Sequence, residues 1–233
     1  MINLKIKTLV GAAAFAATAF IGGTASAAVF TYGFDGVTNN SVLDTSIAES
    51  QASVEVEDQG GTAVSFKFLN TAVLPMSIVQ IYFADGSLLD FASAVITNSG
   101  TAFSPGSSPP NLPGGTFSAD YATDADSNPG GKVNNGVKDA GDSVTVTFNY
   151  AGSSMIADVI KGLNDGTIDV GIHVQGFASG GSESLEITGR CDPITEICGP
   201  GVNVIPVPAG FPLLLTALAG VGILSRRKLR KTA

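Results

Sequence analysis

Along the middle of the chain apolar and polar residues alternate one for one. Val64, Phe66 and Phe68 are interleaved with Ser65 and Lys67, and Val144, Val146, Phe148 and Tyr150 with Thr145, Thr147 and Asn149. Successive side chains of a strand point to opposite faces, so this period of two predicts half-buried strands, one face on a core and one in water. Shorter runs of the same kind predict strands at residues 29–34, 53–57, 78–83, 91–97 and 184–188. Residues 167–177, with Ile168, Val170, Ile172 and Val174 on one face, read as the longest strand. Clusters of Gly, Asn, Asp and Pro part these runs, a spacing that favours a mainly β fold: an antiparallel β-sandwich or jelly-roll-like single domain.

One short helix interrupts the pattern. Ser153 or Ser154 can cap a run in which Met155, Ile156, Val159, Ile160 and Leu163 recur at helical spacing, and residues 164–166 supply the stop. Its apolar stripe reads as core, with the helix plugging an end or edge of the sandwich. Residues 98–138 differ in kind: Pro105, Pro109, Pro110, Pro113 and Pro129 among many Gly, Ser and Asn cannot sustain central strands. A loop of that length in a compact domain is either functional or mobile.

The two ends of the chain read as addresses. Lys5 and Lys7 open it, an apolar and small-residue stretch follows over 9–23, and Ala25, Ser26 and Ala27 make an A-x-A site. These are the three parts of a secretory signal, in order, which implies the Sec translocon and signal peptidase as partners and a mature chain starting at Ala28. At the other end residues 211–224 are apolar. At 1.5 Å per residue they reach about 21 Å, short of the ~30 Å hydrocarbon core, and counting back to Val204 restores the length. Arg226, Arg227, Lys228, Arg230 and Lys231 would stay on the cytoplasmic side, so the body faces outward. Pro206, Pro208 and Pro212 hold the segment before the helix extended, which suits a processing enzyme.

The order Ile205, Pro206, Val207, Pro208, Ala209, then an apolar helix, then an Arg-rich terminus resembles the PEP-CTERM sorting signal of Gram-negative bacteria, closest to its Val-Pro-Leu-Pro-Ala variant. The resemblance covers residues 205–233 and implies recognition by an exosortase-type membrane transpeptidase that removes the tail. The commoner motif carries Glu between its prolines, where this chain has Val207. A plain tail anchor is the alternative. A second likeness runs over 135–188, where an Asn-Gly-Val turn, a strand, a helix and the strand Gly-Ile-His-Val-Gln-Gly-Phe resemble the bodies of PEP-CTERM exported proteins. It implies membership of a group of exported β-proteins and transfers no catalytic residue.

Charge and cysteine content narrow the classes further. Residues 28–204 hold all 20 acidic side chains against five basic ones, a net charge of about −15. Nucleic acid is excluded as a partner, since its binding needs clustered positive charge. Cys191 and Cys198, the only thiols, read as a disulfide in an exported chain, closing a small loop over 192–197 within a stalk, 191–204, between the 28–190 body and the tail. In the chain-entropy model so short a loop contributes only about 2 kcal/mol. His173 is the sole histidine, too few ligands for zinc.

Three constellations carry potential chemistry. Asp124, Asp126 and Asn128, at alternate positions, offer oxygens to calcium, although an EF-hand would want Gly and Glu where Pro129 and Asn135 stand; acidic turn residues are the plainer reading. His173, beside Asp169, Gly171 and Gln175 and one turn from Ser182, Glu183 and Ser184, raises a Ser-His-acid hydrolase, against which stands the lack of any G-x-S-x-G. Glu55 with Glu57, and Glu183 with Glu186, raise a glycosidase, against which stands the absence of Trp as a sugar platform. The sequence therefore predicts no catalytic residues and no resident cofactor. It predicts an exported cell-surface protein with a structural or adhesive role, in contact with extracellular polysaccharide. A calcium-dependent carbohydrate-binding module is the runner-up.

Overall fold

The computed structural model describes residues 28–188. Ala25 and Ala27, the Cys191–Cys198 pair, the motif at 205–209, the helix at 211–224 and the basic residues after it lie outside the described residues. Within them the chain is mainly β and every strand pairing is antiparallel. In chain order come β1 (Val29–Gly36), α1 (Val42–Gln51), β2 (Ala52–Asp58), β3 (Ala63–Asn70), β4 (Ser77–Asp85) and β5 (Leu89–Ser99). Then follow β6 (Phe103–Pro105), β7 (Tyr121–Ala125), α2 (Lys132–Asn135), β8 (Ser143–Tyr150), α3 (Ile156–Asp165), β9 (Ile168–Gln175) and β10 (Glu183–Thr188). The ladder runs β5-β8-β3-β2-β1-β10-β9-β4-β7-β6.

Strand β1 is shared. Its first half pairs with β2, Val29 opposite Glu57 to Tyr32 opposite Val54, and its second half pairs with β10, Gly33 opposite Thr188 to Gly36 opposite Leu185. The two halves of the ladder meet through aromatic rings. Phe83 of β4 lies 5.2 Å from Phe66 and 6.0 Å from Phe68, both on β3, and 5.0 Å from Phe148 on β8. Tyr121 of β7 meets Phe148 at 5.2 Å and stacks on Phe91 of β5 at 5.9 Å. Edge-to-face contacts dominate, the arrangement that ring quadrupoles favour.

All the alternating runs form strands, with three revisions. The longest strand is β5, with 11 residues, whereas β9 has eight. Residues 98–138 include β6 and β7, stacked at the edge of the ladder beyond β4, and Pro105 sits in the outermost strand, where no neighbour needs its missing amide. Helix α3 is entered at Met155 rather than at Ser153 or Ser154. The Ser154 amide is held by Ala151 in a turn, and the Met155 amide donates to Asp158 Oδ2 at 3.0 Å. Gly166, left-handed at φ 78°, ends it. Val159 and Leu163 reach the core.

A second ten-residue helix, α1, escapes sequence reading because its pattern is inverted. Asp44, Thr45, Ala48 and Gln51 form its buried face, while Val42 and Leu43 are 72% and 68% exposed. Its buried side chains are satisfied by hydrogen bonds: Asp44 accepts from Ser179 Oγ, and Gln51 exchanges two bonds with the backbone of Leu74. Cap chemistry was the available signal, since the Ser41 hydroxyl accepts from the Asp44 amide at 3.3 Å.

Phe83→Ala opens a void where rings from β3, β4, β7 and β8 converge, so the urea midpoint should fall by the equivalent of about 3–5 kcal/mol; a loss under about 1 kcal/mol would mean that the halves are not held there.

Candidate functional site

Register places the polar residues of β4, β7, β9 and β10 in one row. Asp124 pairs with Gln80, Gln80 with His173, and His173 with Ser184. These strands alternate, so Ile81, Phe83, Ile172 and Val174 face the core and this row faces the other way. The expectation of a wet outer face fails here. Residues 105–118 lie across it: the Tyr82 hydroxyl donates to Pro109 O at 3.2 Å, Gln80 Nε2 donates to Ser108 O at 3.0 Å, and Thr116 Oγ1 donates to Glu186 at 2.7 Å. A Cβ on Gly171 would come within 2.6 Å of Leu112, so glycine is what admits the covering segment. The Pro-rich stretch is thus a lid on a sheet face, held by backbone carbonyls that proline retains.

Under that cover His173 is only 8% exposed. Its Nδ1 lies 3.1 Å from Ser184 Oγ and its Nε2 lies 3.3 Å from Gln175 Nε2. With Gln175 Nε2 donating to His173 Nε2, the ring proton sits on Nδ1, and in that tautomer the imidazole does not accept the Ser184 hydroxyl proton as a general base must. Ser184 is 1% exposed, and its own amide donates to Thr38 Oγ1 at 2.7 Å. Glu183, fully buried, turns to the opposite side, where it accepts from Ser41 N at 2.7 Å, Thr38 Oγ1 at 2.8 Å and Asn40 N at 3.1 Å. It anchors the start of α1, where helix amides favour an anion. Ser182 adds only a carbonyl that accepts from Asn40 Nδ2 at 2.8 Å. Serine, histidine and acid are neighbours in sequence and structure, yet each is fixed to a scaffold partner.

Of the three candidate calcium ligands, Asp124 and Asp126 have partners within the protein, while Asp124 Oδ1 has none among the described residues. Asp124 Oδ2 accepts from Lys132 Nζ at 2.6 Å and Gln80 Nε2 at 3.3 Å, so an ammonium already neutralises it. Asp126 Oδ1 accepts from the Asn128 amide at 2.9 Å, an Asx turn. Among the described residues no three His, Cys, Asp or Glu side chains gather as a metal group. The carboxylate pairs fare similarly. Glu186 binds Thr116 on the face opposite Glu183, and Glu55 and Glu57 project from one side of β2 instead of flanking a bond from two sides.

Those two glutamates belong to the half-buried polar surface of the other half of the ladder. Glu55, Lys67, Thr145 and Thr97 form one cross-strand row, and Glu57, Ser65 and Thr147 the next. With Gln59 they line an open groove of about 300 Å³. Lys67 Nζ stands 3.5 Å from Glu55 Oε2 and Gln59 Nε2 donates to Ser65 Oγ at 3.0 Å. At about 4.8 Å per strand the row is about 15 Å wide. It offers hydroxyl, carboxylate and ammonium groups with no ring among them, a surface that hydrogen-bonds a polyol but does not stack on it. Sequence alternation flagged each strand separately, but only register brings Thr97, Thr145 and Thr147 together.

Comparison with protein-family models, with curated proteins and with solved structures returns no match. Among the described residues no helix is long and apolar enough to cross a membrane.

Burial first, and the Lys132 ammonium second, hold the His173 imidazole below its usual range, against the opposing pull of Asp124 and Glu183. The unfolded chain, titrating near about 6.5, then binds the proton first, so stability is full above that value and is lost as pH falls from it toward the folded value. His173→Gln removes the titration, so the melting temperature of the wild type should drop more than that of the variant between pH 7.5 and 5.5; equal drops would refute the assignment.

Proposed function

We propose that this chain is an exported protein of the PEP-CTERM type. Sec and signal peptidase deliver it with cleavage after Ala27, residues 211–224 hold it in the inner membrane with the body facing the periplasm, and an exosortase-type transpeptidase acts at residues 205–209. The body, read as a two-layer sandwich joined at β1, then serves a noncatalytic structural or adhesive role at the cell surface or in extracellular polysaccharide. What supports the layered reading is the ring contact between β3 or β8 and β4 or β7. The address rests on the tripartite ends of the sequence.

One observation carries the adhesive role: the polar side chains placed to act on a ligand are those of the open β2-β3-β8-β5 face, whereas His173, Ser184 and Glu183 are engaged inside the scaffold. Hydroxyl rows fit a hydroxyl-rich polymer through many weak bonds, which suits adhesion to a repeating chain better than capture of a small molecule.

Two measurements test this reading. Intact mass of protein recovered from an exosortase-bearing host should end near Pro208 or Ala209, and a full-length C-terminus would leave a plain anchor. In gels cast with the host's extracellular polysaccharide the protein should be retarded, and replacing both Thr145 and Thr147 by Val should weaken that retardation roughly tenfold; unchanged mobility would remove this face from the proposal.

A further inference from the structure

One carboxylate on the β2-β3-β8-β5 face has no counterpart. Glu49 accepts from the Gly36 amide at 3.0 Å, and Glu55 stands 3.5 Å from Lys67 Nζ. Glu183 and Glu186 accept from the amides of Ser41 and Thr116 at 2.7 and 2.6 Å. Glu57 differs: among the described residues nothing pairs with its half-buried carboxylate, and the bond that Ser65 Oγ donates to it, at 3.5 Å, goes to the backbone carbonyl. A carboxylate held partly out of water and left without a donor is a cost that a bound cation removes.

This carboxylate lines the groove of about 300 Å³ together with Gln59, Ser65, Lys67 and Thr147. Register sets Ser65 opposite Glu57, Thr147 opposite Ser65 and Val95 opposite Thr147. The row therefore runs from a bare carboxylate through two hydroxyls to an apolar side chain that is 58% exposed. The adjacent row, through Glu55 and Lys67, closes its charges on itself. Strands lie about 4.8 Å apart, close to the length of one pyranose in an extended chain, so each strand of a row meets one sugar of a polymer laid across it.

Charge then selects among hydroxyl-rich polymers. The body carries about −15 over residues 28–204. A chain of uronates or sulfate esters is repelled by that field, and a neutral chain gains only neutral hydrogen bonds, each exchanged for a bond to water. A sugar bearing an ammonium group is attracted from a distance and forms a charge-assisted bond on contact. Building on the proposal that this face binds a hydroxyl-rich polymer, we infer that the polymer is a polysaccharide of amino sugars with free amines. Glu57 meets the ammonium groups, Ser65 and Thr147 meet the ring hydroxyls, and Val95 meets the apolar edge of a ring.

Titration calorimetry of the full chain in detergent, at about pH 6, separates the contributions. The probes are the glucosamine hexamer, with its amines protonated, and the same hexamer fully N-acetylated. The free-amine hexamer should bind about tenfold tighter, and the ratio should shrink as salt rises from about 0.05 to about 0.5 M. Glu57→Gln should bring the ratio to within about twofold of unity, and a linear polyamine without hydroxyls should bind about tenfold more weakly than the glucosamine hexamer. A ratio that survives Glu57→Gln, or a polyamine that binds as tightly as the hexamer, overturns the inference by reducing it to the charge of the whole body. Equal affinities for the two hexamers, both weakened when Thr145 and Thr147 become Val, refute the amine preference and leave the polyol reading in place. Absence of binding by either hexamer removes both.

Discussion

The rings around Phe83 set the terms for the rest of the molecule. Each half of the ladder carries an apolar face that cannot remain in water, and one half can cover the other only if some strand turns between them. Strand β1 makes that turn by exchanging β2 for β10 as its partner midway along its length. Once Phe66, Phe83, Phe148 and Tyr121 have met, the remaining faces of the two halves have separate fates. One, on β2, β3, β8 and β5, stays open and polar. The other, on β10, β9, β4 and β7, carries a mixture of small and polar residues that a proline-rich segment closes over.

Burial of polar side chains without partners costs about 1–3 kcal/mol each, so the second face depends on the contacts it makes, although Asp124 Oδ1 has none among the described residues. Gln80, Tyr82 and Glu186 each bind the covering segment, and Gly171 leaves room for Leu112. The same rule explains α1, whose inward residues are Asp44, Thr45 and Gln51. There too the hydrogen bond, and not apolar area, decides which face turns in. Residues that looked reactive in the sequence are for this reason immobilised: Glu183 closes the helix start, Ser184 and His173 bind across two strands, and Asp124 meets Lys132.

An acidic surface with few cations keeps a protein dispersed by self-repulsion. Each of the four lysines in the described body is paired with a carboxylate, Lys67 with Glu55, Lys132 with Asp124, Lys138 with Asp139 and Lys161 with Asp165. Positive charge is used locally, and the field of the whole remains negative. On the open face Lys67 is set among hydroxyls and glutamates.

Period-two alternation was enough to locate β1 to β5 and β8 to β10, because pleating ties side-chain direction to sequence parity whatever the strand pairs with. The stripe from Ile156 to Leu163 located α3 by the same kind of local rule. Tertiary structure alone decided what lay opposite what. Helix α1 hides because its buried face is polar, and its stability comes from partners as distant as Ser179. The sequence does not show that the segment near Ser108 covers the strand of His173, or that Lys132 turns back onto Asp124. Parity and periodicity are properties of neighbouring residues, whereas burial of a polar group is settled by residues far along the chain that only folding brings into reach.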